Sequence, residues 1–151
     1  MYEPIRTKSV HTMAATTSSD FPHRSREEEL DIQLAGHLAA LLATTDELRA
    51  LTPGADLDTA AERLSAQVAR LRGGRPPVRS SVPAGGPDGG AAGLHRRAHA
   101  LAGRALVVAA SRADTAAAIL AAERMDAHAA AERVDAPASA DPLDTRALAS
   151  R

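Results

Sequence analysis

Leucines recur at helical spacing from Leu30 through Leu34, Leu38, Leu41, Leu48 and Leu51. That is the pattern of a helix that buries one face. Ser25 with Glu28 three residues on forms a capping box, and Glu27, Glu28 and Glu29 suit the positive end of the helix dipole. Thr52-Pro53-Gly54 stops the run, so the first helix is expected over 26–51. A second helix should carry Leu57, Ala61, Leu64, Val68 and Leu71 on one face, with Asp56 or Asp58 as its cap and Gly73-Gly74 as its end. So short a connection between the two fits an antiparallel hairpin.

Residues 73–90 carry Pro, Gly and Ser in bulk, a composition that holds neither helix nor strand and reads as a linker. Helical patterning resumes at Ala91 and runs to Ala136. One helix of that length would span roughly 65 to 70 Å, too long for so small a domain. Ser111 and Asp114 supply a capping signal, which divides the stretch into a third helix at about 92–111 and a fourth at about 114–135. Pro137 stops the last one. The expected fold is therefore all-α: helical hairpins at 25–72 and 91–136 form a four-helix bundle, with disordered tails at 1–24 and 137–151. Ala61-Glu62-Arg63-Leu64 returns as Ala122-Glu123-Arg124-Met125, but Ala supplies 36 of the 151 residues, and coincidence explains such a match better than duplication.

The third helix is apolar on two sides. If Leu94, Ala98, Leu101, Ala105 and Val108 face the core, then Ala100, Gly103, Leu106, Val107 and Ala110 lie on the far side. A helix apolar nearly all round is buried nearly all round. Gly103, Leu106, Val107 and Ala110 are accordingly the candidate interface, for a protein partner or for a second copy in a homo-oligomer. Charge adds a docking preference within the chain. Residues 26–58 hold two Arg against eight acids, and residues 73–113 hold six Arg against Asp88 alone, so the basic third helix should lie near the acidic first one.

Composition narrows the functional classes. The net charge is −1 with 18 basic and 19 acidic residues, without the positive excess of a nucleic-acid coat or a polybasic membrane anchor. There is no Cys and no Trp, and Tyr2 and Phe21 are the only aromatics. Disulfides, thiolate metal sites, cysteine catalysis and aromatic base-stacking platforms are excluded. No apolar run is long enough for a membrane span or a signal core, and the cytoplasm is the expected location. The second helix offers Arg63, Arg70 and Arg72 with little beyond Gln67 to read bases, which argues against a DNA-binding helix-turn-helix.

Six His residues are the only groups suited to chemistry. His11 and His23 lie in the tail, and His37, among Leu34, Leu38 and Leu41, reads as a hydrogen-bonded core or interface residue. His128 falls opposite Ile119 and Ala116 and is expected to be solvated. His95 and His99 stand at i, i+4, the spacing that presents two imidazoles to one metal, but further ligands would have to come from His128, Glu123 or Asp126 on the fourth helix, and nothing in the spacing predicts that. No nucleophile with a paired base stands out. Catalytic residues, cofactors and metal are all expected to be absent.

Ala98-His99-Ala100-Leu101-Ala102-Gly103 resembles the short helix motif of histidine phosphotransfer domains, four-helix bundles with a solvent-facing phosphoacceptor His. The resemblance implies that role for His99, although Ala102 stands where that family usually has Lys. Over residues 30–112 the chain resembles a group of small uncharacterised actinobacterial helical proteins. The likeness comprises a Leu-rich helix around Leu34-Ala35-Gly36-His37-Leu38, a Pro-containing turn, an Ala/Arg-rich helix, a variable linker and a third helix rich in His, Arg, Ala and Leu. It implies a helical accessory protein and transfers no active site. The function expected is a non-enzymatic interaction or regulatory protein working through helix-helix association, with a phosphotransfer module centred on His99 as the alternative.

Overall fold

The computed structural model describes residues 23–79 and 90–136. The tails expected at 1–24 and 137–151, residues 23 and 24 apart, and the linker stretch 80–89 lie outside the described residues. Four helices follow in order: α1 (Arg26–Leu51), α2 (Ala55–Leu71), α3 (Ala91–Arg112) and α4 (Thr115–Asp135). No strand occurs among the described residues.

The helix ends show why the chain breaks where it does. At α1 the Ser25 hydroxyl accepts from the Glu28 amide at 3.1 Å, and the Ser25 amide donates to the Glu28 carboxylate at 2.9 Å. Both halves of the capping box are thus made. At α2 the expectation is corrected: the cap is Gly54, without a side-chain hydrogen bond, and Asp56 and Asp58 fall inside the first turn. There they still complement the helix dipole, and Asp58 also accepts from Arg49 Nε at 2.7 Å.

The ends of α2 and α3 share one geometry. Gly73 adopts a left-handed φ of 68°, the Gly74 amide donates to Ala69 O at 2.7 Å, and the Gly73 amide donates to Arg70 O, which is the Schellman closure. Ala113 repeats it with a φ of 57°, the Asp114 amide reaching Ala109 O at 2.9 Å. An L-residue in this region costs roughly 1–2 kcal/mol. Asp114 offsets part of that cost by capping α4, its carboxylate accepting from the Ala117 amide at 3.1 Å. The interruption between α3 and α4 is therefore a built corner, as the Asp114 signal predicts. Ser111 takes no part in that cap and donates instead to Val107 O.

Within the bundle α1 packs on α2 and on α3, α3 packs on α4, and a thinner contact between α2 and α4 closes the ring. Ion pairs fix the directions. Arg112 at the end of α3 meets Asp31 near the start of α1 at 2.9 Å, Arg70 at the end of α2 meets Asp114 at the start of α4, and Arg124 on α4 meets Asp56 on α2 at 3.0 Å. Every neighbouring pair is antiparallel, so α1 and α4 run one way while α2 and α3 run the other. The start of α3 therefore lies at the other end of the bundle from the end of α2. The described residues after α2 run back against α1, where Pro77 and Arg79 share a cavity with Ala39, Leu42 and Asp46. Arg79 binds Asp46 through two nitrogens. Burial alone would raise the Asp46 carboxyl; hydrogen bonds from Arg79 and Arg49 override it and hold the group below the ordinary value.

The basic third helix does dock on the acidic first one, through Arg112 with Asp31 and Arg97 with Glu47. Exposed pairs of this kind contribute under about 1 kcal/mol each, and apolar burial does most of the holding. On α1 and α2 the core is made by Leu34, Leu38, Leu41, Leu48, Leu64 and Val68. On α3 and α4 it is made largely by Ala98, Ala102, Ala105, Ala109, Ala117 and Ala121, small residues that let helix axes approach closely. The two similar strings occupy different faces: Leu64 is buried and Arg63 exposed, whereas Arg124 is buried and Met125 only partly so.

Candidate functional site

The four residues expected to form an interface separate into two pairs. Gly103 faces α4, where an added Cβ would lie 3.7 Å from Met125 Cε. Leu106 is half-buried and packs on the core. Val107 points outward with 67% exposure, and Ala110 is exposed beside it. The structure adds the α4 side of this surface, which the helical spacing did not reveal. Ala118, Ile119 and Ala122 join Ala110 and Ala113 around an open apolar groove of about 320 Å³, and Ile119 is 52% exposed.

Ile119 is also why His128 is misplaced by sequence reasoning. Taking Ile119 as an inward residue turns His128 outward. In the bundle α4 buries Ala117, Leu120, Ala121, Arg124 and His128 instead, and His128 is 1% exposed. Its Nδ1 lies 3.0 Å from His95 Nδ1, with the rings tilted by 48°. One ring must donate. If His128 Nδ1–H donates, its buried Nε2, which has no partner, carries only a lone pair; the other tautomer would bury an unpaired N–H, at greater cost. Arg124 is 5% exposed in the same layer, its Nη2 donating to Asp56 at 3.0 Å and its Nε without a partner. Burial first, then the neighbouring Arg124 charge and His95, push His128 down to about 4.

His99 lies one turn further along α3, half-buried, and donates its Nδ1–H to Met125 O at 3.1 Å. That bond leaves Nε2 as the lone-pair nitrogen. His37 is half-buried on α1, and its ring makes no hydrogen bond, contrary to the expectation of a bonded core residue. Among the described residues no three His, Asp or Glu side chains converge on a metal position. His95 and His128 face each other, and His99 is committed to a carbonyl.

At the opposite end of the bundle a polar cavity of about 380 Å³ is bordered by Asp31, Arg70, Arg112 and Asp114. Its charges are matched in pairs, Arg112 with Asp31 and Arg70 with Asp114. Burial alone would raise the Asp114 carboxyl, and the bonds from Arg70 and the Ala117 amide hold it low. This end is a latch between helices, with no unmatched charge to draw a ligand. No described helix is long and apolar enough to cross a membrane. No protein-family model, curated protein or solved structure matches the chain.

Proposed function

We propose that this chain is a non-enzymatic interaction protein of the cytoplasm, which binds a helix of another polypeptide along the apolar face shared by α3 and α4. The observation that carries this reading is the exposure of Val107 on α3 and of Ile119 on α4, with Ile119 lining, together with Ala110, Ala113, Ala118 and Ala122, an apolar groove between the two helices. A single exposed aliphatic is ordinary. Two of them on neighbouring helices, one lining an apolar groove between those helices, form the kind of patch that marks association surfaces. Small residues on the groove floor let an approaching helix come close.

A photo-crosslinking residue placed at Val107 in the cells that make the protein tests this reading. A discrete protein adduct is expected from position 107, and none from the exposed Ala66 on α2. Position 107 yielding no adduct, or the same smear as position 66, would overturn it.

One observation favours a second reading, phosphotransfer on His99. The bond to Met125 O presents Nε2 with its lone pair free for attack on phosphorus, and Arg96, one turn earlier, is exposed and has no ion-pair partner among the described residues. Incubation with a small-molecule phosphodonor should then give acid-labile label that disappears in His99→Gln. Absence of label removes this reading and leaves the first untouched.

A further inference from the structure

The seam between α3 and α4 sets which residues stand at equal height along the bundle. His95 meets His128, His99 meets Met125 O, and the chain turns at Ala113 and Asp114. At 1.5 Å rise per residue, Val107 then stands level with Ile119, and Arg104 level with Ala122 and Glu123. The helical screw places Arg104 on the side of Val107 away from α4, and Glu123 on the side of Ile119 away from α3. Glu123 already meets Arg63 of α2 there, at 2.6 Å. Across the face the order is thus cation, aliphatic, groove, aliphatic, anion.

That order is complementary to its own reversal. We propose that the occupant of the α3–α4 face is a second copy of this chain, docked about a two-fold axis parallel to the helices. In that arrangement each Val107 packs on the partner's Ile119, and each Arg104 faces the partner's Glu123. Arg104 is exposed and has no ion-pair partner among the described residues, whereas Glu123 has a second carboxylate oxygen beyond the one held by Arg63. The alternative two-fold, across the helices, would lay α3 on the partner's α3. That helix carries no acidic residue and four Arg, so the alternative stacks like charges. An isologous contact of the parallel kind closes at two subunits and leaves no face free for further growth.

The proposal rests on the reading of this face as an interaction surface, and the test separates the two. Sedimentation of the full chain from low to high micromolar concentration should show a reversible monomer–dimer equilibrium. Arg104→Glu and Glu123→Arg should each raise the dimer Kd by about tenfold or more, and the double swap should recover most of the loss, the sign of direct coupling between the two positions. Circular dichroism should show unchanged helicity in all three, since both side chains are exposed. A monomer throughout, together with a discrete adduct of another mass at position 107, overturns the second copy and keeps the interaction surface. A monomer with no adduct overturns both. A dimer indifferent to the swaps and to Val107→Lys with Ile119→Lys forms elsewhere and overturns the proposal.

Discussion

Acidification from pH 7 to pH 5 is expected to remove about 2 kcal/mol of folding stability through His128 alone. The folded protein holds this imidazole at about 4 against an ordinary 6.5, so the unfolded chain takes up the proton first and acid favours unfolding. The contribution is complete above about pH 6.5 and declines by about 1.4 kcal/mol per pH unit until the folded-state value near 4 is reached. Asp46 and Asp114 act in a separate window. Their folded values lie below the ordinary 3.8, so the stability they lend is lost only as pH falls through and below that range. Urea unfolding at pH 7, 6, 5 and 4 checks the effect. The wild type should lose stability steadily, and His128→Leu should be nearly flat between pH 6.5 and 4. Equal slopes in the two proteins would show that His128 is not buried as a neutral ring.

Leu120→Ala should cost roughly 2–5 kcal/mol, the usual range for deleting a fully packed leucine. Leu120 is 2% exposed and is the only large aliphatic among the buried residues of α4, the others being Ala117, Ala121, Arg124 and His128. Methyl groups and a polar layer hold the rest of that helix. The neighbouring Ile119→Ala should cost under about 1 kcal/mol, because half of that side chain is already in water. The pair of variants reads the rotation of α4 directly. An Ile119 effect as large as that of Leu120 would mean the helix is turned by about 100°.

That rotation is the part of the fold the sequence does not disclose. Helix boundaries rest on local chemistry, and Ser25 with Glu28, Pro53, Gly73-Gly74 and Asp114 mark them within a residue or two. The face of α1 is equally legible, because Leu34, Leu38, Leu41 and Leu48 stand out by size at helical spacing and are all buried. On α4, Ala occupies every side, and Ile119 carries more weight in a periodicity argument than the nine alanines do. Sequence reasoning therefore turns the helix toward Ile119, places His128 in water, and misses both the histidine layer and the α4 half of the exposed apolar face. On α3 the expected inward stripe holds for Leu94, Ala98, Leu101 and Ala105, while Val108 is only partly buried and Ala102 and Ala109 are fully so. The same ambiguity of alanine accounts for the shift.

The alanine seam has a further effect on motion. Ala98, Ala102, Ala105 and Ala109 on α3, with Ala117 and Ala121 on α4, are all fully enclosed, and none of them has a side-chain torsion to freeze, so these six positions close at almost no cost in rotamer entropy. The leucines of α1 and α2 each give up about 0.5–1 kcal/mol in the same step. Positions without rotamers also have few alternative ways to pack. α3 and α4 therefore move as one stiff plate, and Val107 and Ile119 keep a fixed separation before any partner arrives. In the proposed association their ordering cost is thus met during folding, leaving more of the contact energy to appear as affinity.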